Sequence, residues 1–105
     1  MKIWLDDVRQ APYGYTWCHS VFRAIKEIRI CEDKFNEGFS NEVIELIDID
    51  HDAGDYAIYG GDYIELLNWL EETNRNYPIR IHSMNPVGRE NMRRIIKRNG
   101  WTEVF

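Results

Sequence analysis

Three stretches of this 105-residue chain gather side chains that bind cations or move protons. The first is Asp6-Asp7, with Arg9 just beyond. The second is Asp50-His51-Asp52. The third is His82-Ser83, followed by Asn85, Gly88 and Arg89. Several carboxylates brought close together cannot all stay ionised without a compensating charge. A divalent cation supplies it, and oxygen ligands suit magnesium, manganese or calcium, while the two histidines leave zinc or iron open. Asp6, Asp7 and Asp50, with Asp52, are the expected metal ligands, and magnesium or manganese the expected ion. A metal with open water positions clamps phosphate. The anion side is provided by the run from His82 to Arg89, which leads from a strand into a helix whose first N–H groups favour a phosphate. Ser83 and Asn85 add side-chain donors, Gly88 lets backbone approach a ligand closely, and Arg89 offers a two-pronged contact to phosphate oxygens. Taken singly, an Asp after a strand is a turn or cap residue. The joint placement of such groups at three strand ends is what points to a site.

The elements that must position these groups can be read from periodicity. Residues 2–5 form a short buried strand stopped by Asp6-Asp7. Residues 8–14, with Pro12 and Gly14, form a loop, and 15–18 a second strand. Ser20 caps a helix whose apolar positions are Val21, Phe22, Ile25 and Ile28. Residues 32–42 read as a loop or frayed helix end, with Phe35 and Phe39 tucked onto the core. Residues 43–49 form the clearest strand, ending at Asp50. A glycine-containing loop leads to a helix over 62–74, with Tyr63, Leu66, Leu67 and Leu70 as its inner stripe and Trp69 widening it. Pro78 precedes a strand over 79–81. Asn85 or Ser83 caps the next helix, Pro86 sits in its first turn, Met92, Ile95 and Ile96 face inward, and Asn99-Gly100 stops it. Residues 101–105 read as a last strand. Strands alternating with helices imply a parallel sheet covered on both faces, with ligands bound beyond the carboxyl ends of the strands.

The bulk numbers bound the function. The length supports one domain over residues 1–105. A net charge of −5 disfavours non-specific binding to duplex nucleic acid. The basic excess of the second half, Arg89, Arg93, Arg94, Lys97 and Arg98, reads as a solvated helix face. No apolar run is long enough for a membrane span or signal peptide. Cys18 and Cys31 form no Cys-x-x-Cys pair, so reduced, packed thiols and a cytoplasmic location are expected.

At Asp6-Asp7, Asp50 and Ser83 the sequence resembles the receiver domains of two-component response regulators. Over Lys2 to Arg9, Asp50-His51-Asp52, and His82 to Arg89 with Asn91-Met92, it resembles more closely the receiver-like family described as cyclic-phosphate processing. The resemblance spans nearly the whole chain, in order. It implies a flavodoxin-like three-layer α/β sandwich with a mostly parallel five-stranded sheet, in the order 2-1-3-4-5, shortened. It also implies that the acidic pair binds magnesium and that Asp50 and Ser83 meet a phosphoryl group. Receivers carry a lysine at the end of strand 5, and no lysine follows Asn99 here. That argues against phosphoaspartate signalling at Asp50. Two further departures, Ala53 where the close family commonly has Leu and Asp48 where it often has Ser, remove no expected ligand.

The expected function is therefore a metal-dependent phosphoesterase acting on a cyclic phosphate. Asp50, His51 and His82 are its expected catalytic residues, and Arg9, Ser83, Asn85 and Arg89 its expected phosphate contacts. The partner is a phosphate-containing small molecule or nucleotide. The alternative is a non-catalytic receiver-like module that senses a phosphorylated ligand or docks to a protein.

Overall fold

Short apolar runs, each ended by an acid or a histidine, set the lengths of the strands in the computed structural model, which describes residues 1–105. They are β1 (Lys2–Leu5), β2 (Tyr15–Cys18), β3 (Leu46–Ile49) and β4 (Ile79–Ile81). The helices are α1 (Val21–Asn36), α2 (Ile64–Glu72) and α3 (Pro86–Asn99), with a 3-10 turn at Gly54–Ile58. All strand pairs are parallel, and the sheet order is β2-β1-β3-β4. The chain winds outward from β1 in both directions, so β1 and β3 meet where the winding reverses. That edge is where an open α/β sheet holds its ligands.

Four strands are present rather than five. Residues 101–105 contribute a single parallel bridge, Ile79 to Glu103. Gly100 closes α3 in the left-handed conformation (φ 67°), and Trp101 turns at once into the core. Arg93 then grips Glu103 at 2.7–3.0 Å, which fixes the direction of the segment.

The expected second helical layer is also missing. α1 packs on α2 and α2 on α3, so the three helices lie side by side on one face of the sheet. That face carries Ile3, Leu5, Ile47, Ile49, Ile79 and Ile81, all in one apolar cluster with Ile28, Leu67 and Ile96. The opposite face carries Trp17, Trp4, Asp48 and Arg80 in one row across the register. No helix covers it. β1 returns to the start of β2 through residues 6–14, a loop where parallel strands usually need a helix. Trp4 is tied to that loop by a bond from its Nε1 to the carbonyl of Arg9 (2.8 Å).

Local expectations fare unevenly. Ser20 caps α1, its hydroxyl accepting from the Arg23 amide. β2 occupies residues 15–18 as expected and pairs along its full length with β1. α1 does not fray at residue 32 but continues to Asn36, and its inner stripe is Val21, Ala24, Ile28 and Cys31. Phe22 lies one position off that stripe and is 61% exposed, and Phe39, beyond the end of α1, is 79% exposed. Phe35 is likewise exposed instead of joining the core. β3 starts at Leu46, three residues later than expected. Both cysteines are free and buried, and burial pushes the Cys18 thiol up to about 12.

One polar tie fastens α1 to the segment before β4. Arg75 grips Glu32 with Nε and a terminal nitrogen (2.8–3.1 Å), and the Tyr77 hydroxyl donates to the same carboxylate. Burial alone would raise the Glu32 carboxyl, but the Arg75 and Tyr77 bonds hold it below its ordinary value of 4.5. The unfolded chain therefore takes up this proton first. The contribution to stability is complete above about pH 5 and fades as the pH falls through the lowered folded value. Arg75→Ala is expected to cost about 1.5–3 kcal/mol near neutral pH, by the usual worth of a hydrogen bond to a charged group. Urea unfolding at pH 7 and pH 3 checks it: the gap between wild type and variant narrows in acid.

Candidate functional site

The carboxyl ends of β1, β3 and β4 deliver Asp6, Asp50 and His82 to one place. Each offers a ligand atom, and these atoms all lie within 4.8 Å of one another. Two carboxylate oxygens and an imidazole nitrogen suit a divalent cation. These three residues could hold one.

Asp6 is 1% exposed and fully engaged. Its Oδ1 accepts from the amides of Val8 (3.0 Å) and Arg9 (2.7 Å), pinning the loop that returns to β2. Its Oδ2 meets Nε2 of His82 at 2.9 Å. Burial pushes this carboxyl up, yet the Arg9 and Val8 amides and the His82 ring outweigh it and hold the group below its ordinary value. The other ring nitrogen of His82, Nδ1, lies 2.7 Å from Oδ1 of Asp48, which is also 1% exposed. A single ring thus bridges two buried acids. Both contacts are donor–acceptor pairs only when the ring carries hydrogen on both nitrogens. Trp4 lies flat against the imidazole, with centroids 3.9 Å apart and planes 4° apart, and fixes its orientation.

Asp48 is the residue that motif reading passes over. It sits inside the apolar run Leu46-Ile47-Asp48-Ile49, on the opposite side of the strand from its neighbours. An acid in a run of that kind needs a buried partner, and here that partner is His82.

The neighbouring acids have separate duties. Asp50 accepts at Oδ1 from the amide of His51 (2.8 Å). The Asp7 side chain lies against Gly54, which opens the 3-10 turn with φ 56°. Asp52 is exposed and does not join the cluster; its Oδ1 meets Nδ1 of His51 at 2.8 Å. This orients the imidazole and leaves Nε2 for other partners. Tyr63, buried below, donates to the carbonyl of His19 (2.7 Å). Burial raises its phenol, and the charges of Asp7, Asp6 and Asp50 raise it further.

The turn into α3 is largely occupied by its own capping. Asn85 is the cap, and its Oδ1 accepts from the Gly88 amide (3.0 Å). The buried Ser83 accepts from the Asn85 amide (3.1 Å). Arg89 reaches back to the Ser83 carbonyl (3.3 Å) and makes no ion pair with an acid, so its charge is unspent. Arg9 is exposed and supplies only backbone to the cluster. The structure therefore gathers Asp6, Asp50 and His82, with His51, Asp52 and Asp7 next to them in the chain, and gives the side-chain oxygens of Ser83 and Asn85 to the turn while leaving their donors.

Gly88 has a packing reason to lack a side chain: a Cβ there would overlap the ring of His51. In an ordinary helix interior, Gly→Ala stabilises by roughly 0.5–1 kcal/mol. Gly88→Ala is expected to forfeit that gain by expelling His51 from its seat on α3. The imidazole signals of His51 should shift on substitution, with the unfolding free energy changed by less than about 1 kcal/mol. Unmoved His51 resonances would show that the ring does not rest on the helix.

A parallel sheet that presents an acid pair after β1 and a further acid after β3, at the point where winding reverses, defines a receiver-like α/β domain. The cyclic-phosphate processing Receiver domain model matches residues 1–98, and the chain belongs to that family. Comparison with curated proteins and with solved structures gives no match. No helix is long and apolar enough to cross a membrane.

Proposed function

We propose that this domain is a metal-dependent phosphoesterase that opens a cyclic phosphate. The observation that carries the reading is the convergence of Asp6, Asp50 and His82 ligand atoms within 4.8 Å, with an oriented histidine–aspartate pair, His51 and Asp52, next in the chain. Asp6 and Asp50 would hold the ion with Nε2 of His82, the ion taking the place of the hydrogen that Nε2 shares with Asp6 while Nδ1–H stays on Asp48. Magnesium or manganese fits the oxygen-rich set, and would polarise the phosphoryl group and acidify a bound water.

The chain's own side chains do the rest. His51, held through Nδ1 by Asp52, takes a proton from the attacking water at Nε2. The water oxygen bonds to phosphorus, one ester P–O bond of the ring breaks, and the departing oxygen receives the proton. Arg89 offsets the charge of the phosphate oxygens. His82 is held too tightly between Asp6 and Asp48 to shuttle protons freely, so its part is to hold and orient.

The test is turnover of 2′,3′- and 3′,5′-cyclic nucleotides with added magnesium or manganese. Hydrolysis that disappears in His51→Gln supports the reading. No turnover of any phosphoester by metal-loaded protein removes it. A second reading has one observation in its favour: the α3 turn takes only the side-chain oxygens of Ser83 and Asn85 as acceptors, so their O–H and N–H donors are left to bind a phosphate without any chemistry. A non-catalytic module that binds a phosphorylated ligand would then show calorimetric binding without turnover.

A further inference from the structure

Two aromatic stacks flank the acidic cluster, and they differ in one respect. Trp4 and His82 form a closed stack: Trp4 is buried and its ring is spent on holding the imidazole. On the other side, His19 lies between Trp17 and Tyr56. Its ring centroid is 4.5 Å from that of Trp17, with planes 26° apart, and 5.0 Å from that of Tyr56, with planes 34° apart. These three rings come from the end of β2 and from the 3-10 turn after β3, so they reach over the end of β1 from both sides. All three keep solvent-accessible surface, and Tyr56 is exposed.

Backbone bonds hold part of the trio next to the acids. Trp17 donates from Nε1 to the carbonyl of Asp6 (2.9 Å), and Tyr63, which feels the charges of Asp7, Asp6 and Asp50, donates to the carbonyl of His19 (2.7 Å). Packing alone explains a buried stack, but it does not explain three part-exposed rings beside the acidic cluster, with the Trp17 ring fixed to the Asp6 carbonyl. Solvent-accessible aromatic rings held in place at the end of such a stack are how proteins hold the flat face of a base.

We infer that Trp17, His19 and Tyr56 form a base-stacking subsite, and that the ligand of this domain is a nucleotide whose phosphate sits at the acidic cluster. The inference names the substrate class of the site proposed above, and rests on that reading for the position of the phosphate. It does not rest on catalysis. Stacking is tolerant of base identity because every base has a π face, so discrimination lies between nucleotides and base-free phosphates rather than among bases.

The experiment is an NMR titration of the full chain, in magnesium, with adenosine 5′-monophosphate and with ribose 5-phosphate, on wild type, Tyr56→Ala and His19→Ala. The nucleotide is expected to move the Trp17 indole N–H and His19 ring signals and to bind at least about tenfold tighter than the base-free sugar phosphate. Each variant should erase most of that gap while leaving ribose 5-phosphate affinity within about twofold, and Tyr56→Phe should retain the gap. Equal affinity for the two ligands in wild type overturns the subsite and leaves the phosphate reading standing. Variants that weaken both ligands alike overturn it too, as does the absence of binding by either. Nucleotide binding at the rings, in a protein that hydrolyses no cyclic phosphate, upholds the subsite and removes the phosphoesterase reading instead.

Discussion

Replacing His82 by Leu lowers the unfolding free energy by about 3–5 kcal/mol at neutral pH, the range for stripping a buried charge of its partner. The size follows from what the ring touches. Asp6 and Asp48 are both 1% exposed, and each gives one carboxylate oxygen to a His82 nitrogen. The amides of Val8 and Arg9 still serve Asp6 in the variant. Asp48 keeps only the outlying guanidinium of Arg80, 3.9 Å away and half exposed. Leucine fills the space against Trp4 but supplies no hydrogen, so the loss is electrostatic rather than a cavity. For a domain of this length the melting temperature should fall by at least about 12 °C. Urea unfolding of the variant, of Asp48→Asn and of the double variant tests the assignment. Because His82 and Asp48 act as a unit, the double variant should cost less than the sum of the singles. A loss under about 1 kcal/mol, or simple additivity, would show that the ring is not the partner that holds the two acids.

This triad also shows where sequence reading reaches and where it stops. Asp6, Asp50 and His82 are legible because each is the first residue after a short strand, and a parallel sheet aligns such positions on one edge. Strand order is what the family resemblance implies, and the four strands present follow it. What side chains do beyond the strand end is not periodic. Asp52 turned to His51, and Asn85 turned to its own helix, though their spacing resembled that of ligands. Asp48 was hidden for the opposite reason: it lies inside a strand, where its partner is a residue 34 positions away.

The missing helical layer has a similar origin. Ile3, Trp4 and Leu5 are all apolar and all buried, which reads as a strand covered by helices on both faces. Trp4 is instead covered by the 6–14 loop and by the ring of His82. Composition reports that a face is buried, not what buries it. The Glu32–Arg75 tie, spanning 43 positions, leaves no local pattern either.

Asp50→Asn is expected to reduce manganese affinity by roughly 10³-fold while leaving the fold intact. One carboxylate charge about 4 Å from a single unit of positive charge is worth roughly 4 kcal/mol at the effective dielectric of a protein surface, or about 10³-fold, which is a floor for a doubly charged ion. Asparagine keeps the shape and still accepts the His51 amide bond now made by Oδ1. The cost is therefore confined to ions, and hydrolysis of a cyclic nucleotide should fall with metal occupancy. The metal-free protein should gain slightly, by under about 1 kcal/mol, because one negative charge leaves a pocket that already raises the Tyr63 phenol. Calorimetric titration with manganese, beside thermal unfolding in a chelator, separates the two effects. Unchanged manganese affinity would place the ion away from Asp50, whereas a large fall in the melting temperature of the metal-free variant would make the acid structural. Asp52→Asn is the internal contrast. Its carboxylate serves His51 outside the cluster, so metal affinity should change by less than about tenfold while turnover drops with the loss of an oriented base.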